Sequence, residues 1–262
     1  MSTYPSQGRL IYFKFFPNFG DMKNRMIITA VAMAVLVSCG TLATLPPDRY
    51  IAAENMPDAG QFLPAPPVNG SETFLTDSVC YERGKALRAT ERGRQAIEDI
   101  NHSTKYYMAY FAPELGVLIT KENSPFLFKF LDSSIKNIRA SISGAKAKYM
   151  RRRPFVYFGE PSGNPSEDAD LGKTGSYPSG HSIRGWGLAL LLSEICPESA
   201  TEILKKGYEY GQSRVILGVH YQSDVDASRS AAAAALVALH ADKKFNRDLE
   251  KAKKEFRRLK GE

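Results

Sequence analysis

The chain has 262 residues, enough for one domain with a single core, and its 43% hydrophobic and 24% charged content excludes both a disordered and a multi-span membrane protein. Its net charge of +7 sits at the two ends. Residues 1–38 hold four basic groups against one acidic, and residues 242–262 hold nine against five. The body is therefore neutral overall, which argues against nucleic acid as a partner.

Lys23 and Arg25 precede an apolar run from Met26 to Val37, so residues 22–38 read as an export signal too short to anchor in a bilayer. Residues 1–21 do not fit a leader and read as a non-native upstream extension, with the true start at Met22. The run ends in Leu36-Val37-Ser38-Cys39, which resembles the lipobox of bacterial lipoproteins, whose cysteine is lipidated. Ordinary cleavage near Ala43 is the other reading, and both stay open. Either one expects an exported, periplasmic protein, soluble or lipid-anchored. Export leaves Cys80 and Cys196, whose spacing does not decide between a disulfide and two thiols. No cysteine or histidine cluster has metal-ligand spacing.

Residues 39–70 carry six prolines without apolar periodicity and read as an arm that tethers or wraps a domain spanning 71–262. From 72 to 100 the pattern is charged and amphipathic, interrupted by Gly84 and Gly93, as for two helices. Residues 112–124 read as a loop. One long helix is expected over 124–152: Ser124 and Pro125 supply an N-cap and an N1 proline, and Leu131, Ile135, Ile138, Ile142, Ala145 and Tyr149 form a core stripe. Pro154 ends it near Arg152. A polar loop over 155–177 is long enough to be a lid or binding loop. Then Pro178-Ser179-Gly180-His181 opens a mostly apolar helix running to Cys196. Thr201–Leu217 makes another, its Gly207 and Gly211 allowing close helix contact, and 221–240 a third with an alanine run. In the tail, Phe245, Leu249, Ala252, Phe256 and Leu259 share one face, which leaves the basic groups on a solvated face. No convincing strand or repeat is present, and an all-α, single-domain bundle follows.

A helix start offers free N–H groups and a positive dipole end, so Ser179 and Gly180 form an anion site with His181 at its mouth. Lys146 and Arg153, two helical turns apart, lie near it in sequence order, although basic residues also suit a helix C-terminus. Ser213-Arg214 is followed by His220 and then Asp224, four residues apart, a spacing that on a helix lets a carboxylate hold an imidazole tautomer. Asp226 is a rival acid on another face. His102 and His240 have no such company and read as surface or packing residues.

Lys146-x6-Arg153-Pro154, Pro178-Ser179-Gly180-His181 and Ser213-Arg214-x5-His220-x3-Asp224 together resemble the three-part signature of the phosphatidic acid phosphatase and vanadium haloperoxidase superfamily. Thr90-Glu91-Arg92-Gly93, Gly175-Ser176-Tyr177 and Gly211-Gln212-Ser213-Arg214-Val215-Ile216 are similar to the secreted bacterial class A nonspecific acid phosphatases, over about 71–258. The resemblance implies a helical bundle hydrolysing a broad range of small phosphate monoesters, with phosphotransferase side activity and vanadate inhibition. It implies His220 as nucleophile and carrier of a phosphohistidine, Asp224 as its orienting acid, and His181 as general acid. Lys146, Arg153, Ser179, Gly180, His181 and Arg214 would bind phosphate, with no metal or other cofactor. An acidic optimum follows if His181 starts protonated and His220 neutral. A vanadate-dependent haloperoxidase and a non-catalytic phosphate-binding lipoprotein are the alternatives. Arg184, after His181, and the acids Glu160, Glu167, Asp168 and Asp170 depart from the family pattern and bear on substrate preference. Oligomeric state stays open, a homo-oligomer included.

Overall fold

The computed structural model describes residues 44–262; the upstream extension, the signal segment, the start at Met22, Cys39 and the start of the arm lie outside the described residues. Residues 45–262 form one compact unit. In chain order its helices are α1 (Ala59–Phe62), α2 (Glu72–Leu87), α3 (Glu91–Glu98), α4 (Thr104–Leu115), α5 (Pro125–Ala140), α6 (Ser143–Tyr149), α7 (Pro154–Phe158), α8 (Asp168–Leu171), α9 (Gly180–Ile195), α10 (Ala200–Ile216), α11 (Gln222–His240) and α12 (Lys243–Lys260). Among the described residues there is no strand, and the fold is all-α.

Helix α9 is central, buried on most sides and packed on α10, α11 and α5. The closest approach is to α10, and it depends on glycine. A Cβ on Gly207 would lie 2.3 Å from the Ala189 Cβ, and one on Gly185 would lie 2.3 Å from the Tyr210 ring. Either addition would force the helices apart. The tail helix α12 buries Phe245, Leu249, Ala252 and Phe256, while Lys243, Arg247, Lys251 and Arg257 stay exposed, so its charge is a solvated face. Cys80 and Cys196 are both free thiols.

Four local expectations change. The single helix over 124–152 is two helices, α5 and α6, broken at Ser141 and Ile142. Ser141 Oγ donates back to the Ile138 carbonyl, and the Ser141 carbonyl accepts from Ala59 N at 2.8 Å. The arm thus docks at the break, with Asp58 against Gly144 and Met56 and Ala59 in the core. The stripe survives because Ile138, Ile142 and Ala145 are all fully buried across the kink. At the start of α5, Ser124 makes no side-chain cap; instead Glu255 from α12 accepts from Leu127 N. Finally, part of the expected loop over 112–124 is helical: α4 runs to Leu115 and stops at Gly116, whose φ of 70° suits glycine. The polar loop over 155–177 likewise contains the short helices α7 and α8.

Candidate active site

Four segments converge on the start of α9. Ser179 is its N-cap, its Oγ accepting from Ser182 N, and the chain enters through a cis peptide at Tyr177–Pro178. Ser179 N donates to the Asp224 carbonyl and Ser228 Oγ to the Ser179 carbonyl, which ties this turn to α11. A Cβ on Gly180 would sit 3.3 Å from Arg139 Nε and 3.8 Å from Lys146 Cε, so the space beside residue 180 is walled by cations.

Arg153 is held by the loop that precedes α9. Its guanidinium donates to the carbonyls of Leu171, Thr174 and Val219 and to Thr174 Oγ1, and it is 4% exposed. Its Nη1 also lies 3.2 Å from His220 Nε2. A guanidinium has only donors, so that contact makes Nε2 the lone-pair nitrogen of His220 and leaves the proton on Nδ1. Lys146, on α6, donates to the Gly175 carbonyl at 2.8 Å. Burial, followed by the charges of Arg153 and Arg139, lowers the Lys146 ammonium to about 7. Burial and Arg214 lower Arg153 to about 10.

Arg214, on α10, is the largest fully buried side chain of the domain, and its Nε and Nη1 have no hydrogen-bond partner. Buried guanidinium N–H groups normally find acceptors, since leaving one unmade costs about 1–3 kcal/mol, more when the group is charged. Burial pushes this guanidinium below its usual range. An arginine sequestered without an acceptor, beside a second depressed arginine and a depressed lysine, makes a cation cage whose chemistry suits an anion.

The structure brings together Lys146, Arg153, Ser179, Gly180, His181, Arg214, His220 and Asp224, with two changes of detail. His220 and Asp224 do not share a helix: His220 lies in the turn between α10 and α11. Its Nδ1 is 3.5 Å from Asp224 Oδ2, longer than a good hydrogen bond, because both carboxylate oxygens have shorter contacts. Oδ2 accepts from Tyr221 N at 2.9 Å, capping α11, and Oδ1 pairs with Arg151 at 2.6 Å. Asp226 is exposed and pairs with Arg229, so it is no rival. The second change concerns His181. Its Nε2 donates to the Ile100 carbonyl at 2.9 Å, leaving Nδ1 as the nitrogen free for proton transfer. Burial and the Arg214 charge hold it well below the usual histidine range, and burial with Arg153 and Lys146 does the same to His220. The neighbouring cations therefore disfavour the imidazolium form of both rings, and an anion held among them would offset that.

Three residues escaped the sequence reading. Arg151 looked like one more basic residue at a helix end, yet it is buried between Asp77 and Asp224 and stacks 3.9 Å over the Tyr221 ring. His102, read as a bystander, packs edge-on against His181 at 4.9 Å and shares its Ile100 carbonyl. Arg139 lies beside Gly180 with its Nε unpartnered. Arg151 and Arg139 belong to basic clusters at helix ends, and His102 to a loop remote in sequence; no local pattern marks them. Of the acids in the 159–177 loop, Glu160 is tied to Lys85 and Tyr81, Asp168 accepts from Ser162 N, and Asp170 pairs with Lys173 at the surface. Glu167 alone is near enough to act on Arg153 and Arg214. A cavity of about 510 Å³ lined by Cys80, Leu87, Tyr208 and Val215 contains none of Lys146, Arg153, Ser179, His181, Arg214, His220 and Asp224.

Comparison with known proteins bears on what this cage belongs to. The PAP2 superfamily matches residues 133–248. A "Non-specific acid phosphatase" of Providencia stuartii is 41% identical over 246 residues, covering 90% of this chain and 99% of that protein. The protein of the same name from Salmonella typhi is 35% identical, covering 90% and 93%. An "Acid phosphatase" of Zymomonas mobilis subsp. mobilis is 33% identical over 74% of each chain. With near end-to-end similarity and a cation cage built from the signature residues, the chain belongs to the bacterial class A non-specific acid phosphatases of the PAP2 superfamily, a family of phosphomonoester hydrolases.

Proposed function

We propose that the protein hydrolyses small phosphate monoesters of broad structure in two displacements through a phosphohistidine. The orphaned Arg214 guanidinium at the start of α9 is the observation that carries the reading. A phosphate dianion there takes hydrogen bonds from Arg214, Arg153 and Lys146 and from the Gly180 amide, beside the Ser179 cap. These groups hold the non-bridging oxygens as charge redistributes in the transition state.

His220 Nε2 carries the lone pair and attacks phosphorus, forming a P–N bond as the ester P–O bond breaks. Asp224, anchored by Arg151, stabilises the positive charge that the ring acquires; at 3.5 Å it acts mainly through its field. The leaving alkoxide takes a proton from Nδ1 of His181. Water then attacks phosphorus, passing its proton to His181, and the P–N bond breaks to release phosphate and neutral His220. An alcohol in place of water gives phosphotransfer. The protonation state fits an acid enzyme in a specific way. The second ionisation of a phosphate monoester lies near pH 6. A monoanionic ester therefore brings the proton that burial and Arg214 disfavour on His181, and its dianion, once bound, makes protonated His181 favourable.

The test is hydrolysis of p-nitrophenyl phosphate at mildly acidic pH, unaffected by EDTA and blocked by vanadate. A variant His220→Ala with full activity would refute the mechanism. The relatives' names support phosphatase over haloperoxidase chemistry and over mere phosphate storage. We also propose export to the periplasm, from the segment 22–38. Retention of the protein in the membrane fraction, and its release in Cys39→Ser, would establish the lipid anchor.

A further inference from the structure

We infer that Arg139 and Arg184 form a second anion subsite beside the phosphate cage, so that preferred substrates are phosphomonoesters carrying a second phosphate group on the same small scaffold. This rests on the proposed phosphatase reaction and specifies its substrate class.

The two arginines come from different helices and meet over Gly180. Arg139, near the end of α5, has its Nε against the position a Gly180 side chain would take, and that Nε is buried without a partner. Among the described residues its one side-chain hydrogen bond is from Nη1 to Ser143 Oγ, at 3.3 Å. Arg184, one turn into α9, donates Nη1 to the Gly180 carbonyl at 3.0 Å, which places its guanidinium on the same residue. The two side chains are close enough that Arg184, after burial, lowers Arg139 to about 10, and no carboxylate opposes this. Arg151, the other cation nearby, is fully used by Asp77 and Asp224.

Charge counting decides what the surplus is for. Lys146, Arg153 and Arg214 already match a phosphate dianion, with Asp224 and Glu167 acting on Arg153, and Glu167 and Asp99 on Arg214, whereas no acid acts on Arg139. Arg139 and Arg184 leave about two positive charges unanswered when a simple monoester binds. Two adjacent guanidiniums without a counter-ion repel, and a second phosphate on the substrate would remove that repulsion and supply acceptors for the unpartnered Nε. The subsite touches Gly180 and Lys146 Cε, next to the scissile phosphate, so the second group must lie within the reach of a small molecule.

The experiment compares kcat/KM for fructose 1,6-bisphosphate, fructose 6-phosphate and p-nitrophenyl phosphate in the wild type, Arg139→Gln and Arg184→Gln. A charge-assisted contact of this kind is worth about 10- to 100-fold in affinity. The expected result is a wild-type preference of that size for the bisphosphate, residing in KM. Each Gln variant should reduce the preference, with p-nitrophenyl phosphate changed by less than about threefold. Arg184→Lys should retain part of the preference. Equal treatment of the two sugars by the wild type, or equal losses on all three substrates, would overturn the subsite while leaving the phosphatase reading intact. A second readout needs no turnover: pyrophosphate should raise the melting temperature more than inorganic phosphate does, and the difference should vanish in Arg139→Gln. Identical shifts in wild type and variant would refute the subsite even in a protein that hydrolyses nothing.

Discussion

Replacing Arg214 by methionine should stabilise the domain and abolish its activity. Arg214 is 1% exposed, and two of its nitrogens are buried without acceptors. Exchanging buried ionic groups for apolar ones of similar volume is neutral or stabilising by about 1–4 kcal/mol, because a desolvation penalty disappears. Methionine keeps most of the side-chain length against Tyr107 and Tyr210, whose charge interactions with Arg214 show they are neighbours. A gain of about 1–3 kcal/mol follows, and at about 2–4 °C per kcal/mol for a domain of this size the melting temperature should rise by roughly 2–12 °C. The same measurement with phosphate separates the two roles. Phosphate at a hundred times its Kd adds about 2.7 kcal/mol to the wild type, whereas the variant should gain little. The assay is differential scanning calorimetry at pH 6 with and without phosphate, alongside p-nitrophenyl phosphate turnover. A variant that melts several degrees below the wild type, or is stabilised equally by phosphate, would refute the reasoning.

Three further outcomes follow from the same geometry. Arg151→Met leaves Asp77 and Asp224 buried without their cation and should destabilise the domain by about 3–5 kcal/mol, read by urea unfolding; stability within 1 kcal/mol of wild type, about the noise of such comparisons, would contradict it. Lys146 titrates at about 7 in the folded protein and about 10.5 unfolded. The unfolded chain therefore binds more protons between these values, so Lys146 makes stability rise as pH climbs through that window. Phosphate inhibition should correspondingly weaken above pH 7, and Lys146→Arg should carry it to higher pH. His181→Asn should slow alkyl phosphates far more than p-nitrophenyl phosphate, whose leaving group needs little protonation; equal losses would remove His181 from the acid role.

The helices were legible wherever apolar spacing or a cap was strong: α9, α10 and α11 lie within a residue or two of expectation, and the apolar stripe of the tail faces inward on α12. The signature residues also converge as their order suggested, because each stands at a helix end or turn that faces α9. Features set by distant partners were not legible. The break at Ser141 depends on Ala59 and Asp58 from the arm, and the start of α5 is capped by Glu255 from more than a hundred residues away. Arg151 sits in the same basic stretch as the exposed Lys148, and Arg139 is one more basic residue at the end of α5; only their tertiary surroundings distinguish them. The environment of His181 was not legible for a related reason: a reference pKa omits burial and the charge of Arg214, both of which disfavour its imidazolium.

The most direct test of the central claim is to mix the protein with a rapidly cleaved ester such as p-nitrophenyl phosphate, quench in alkali, where phosphoramidates persist, and locate the phosphoryl group by peptide mass spectrometry. A phosphoryl group on His220, absent from His220→Ala and increased in His181→Asn, is the predicted result. Active turnover with no covalent phosphate on His220, or with the group on another side chain, would contradict the account.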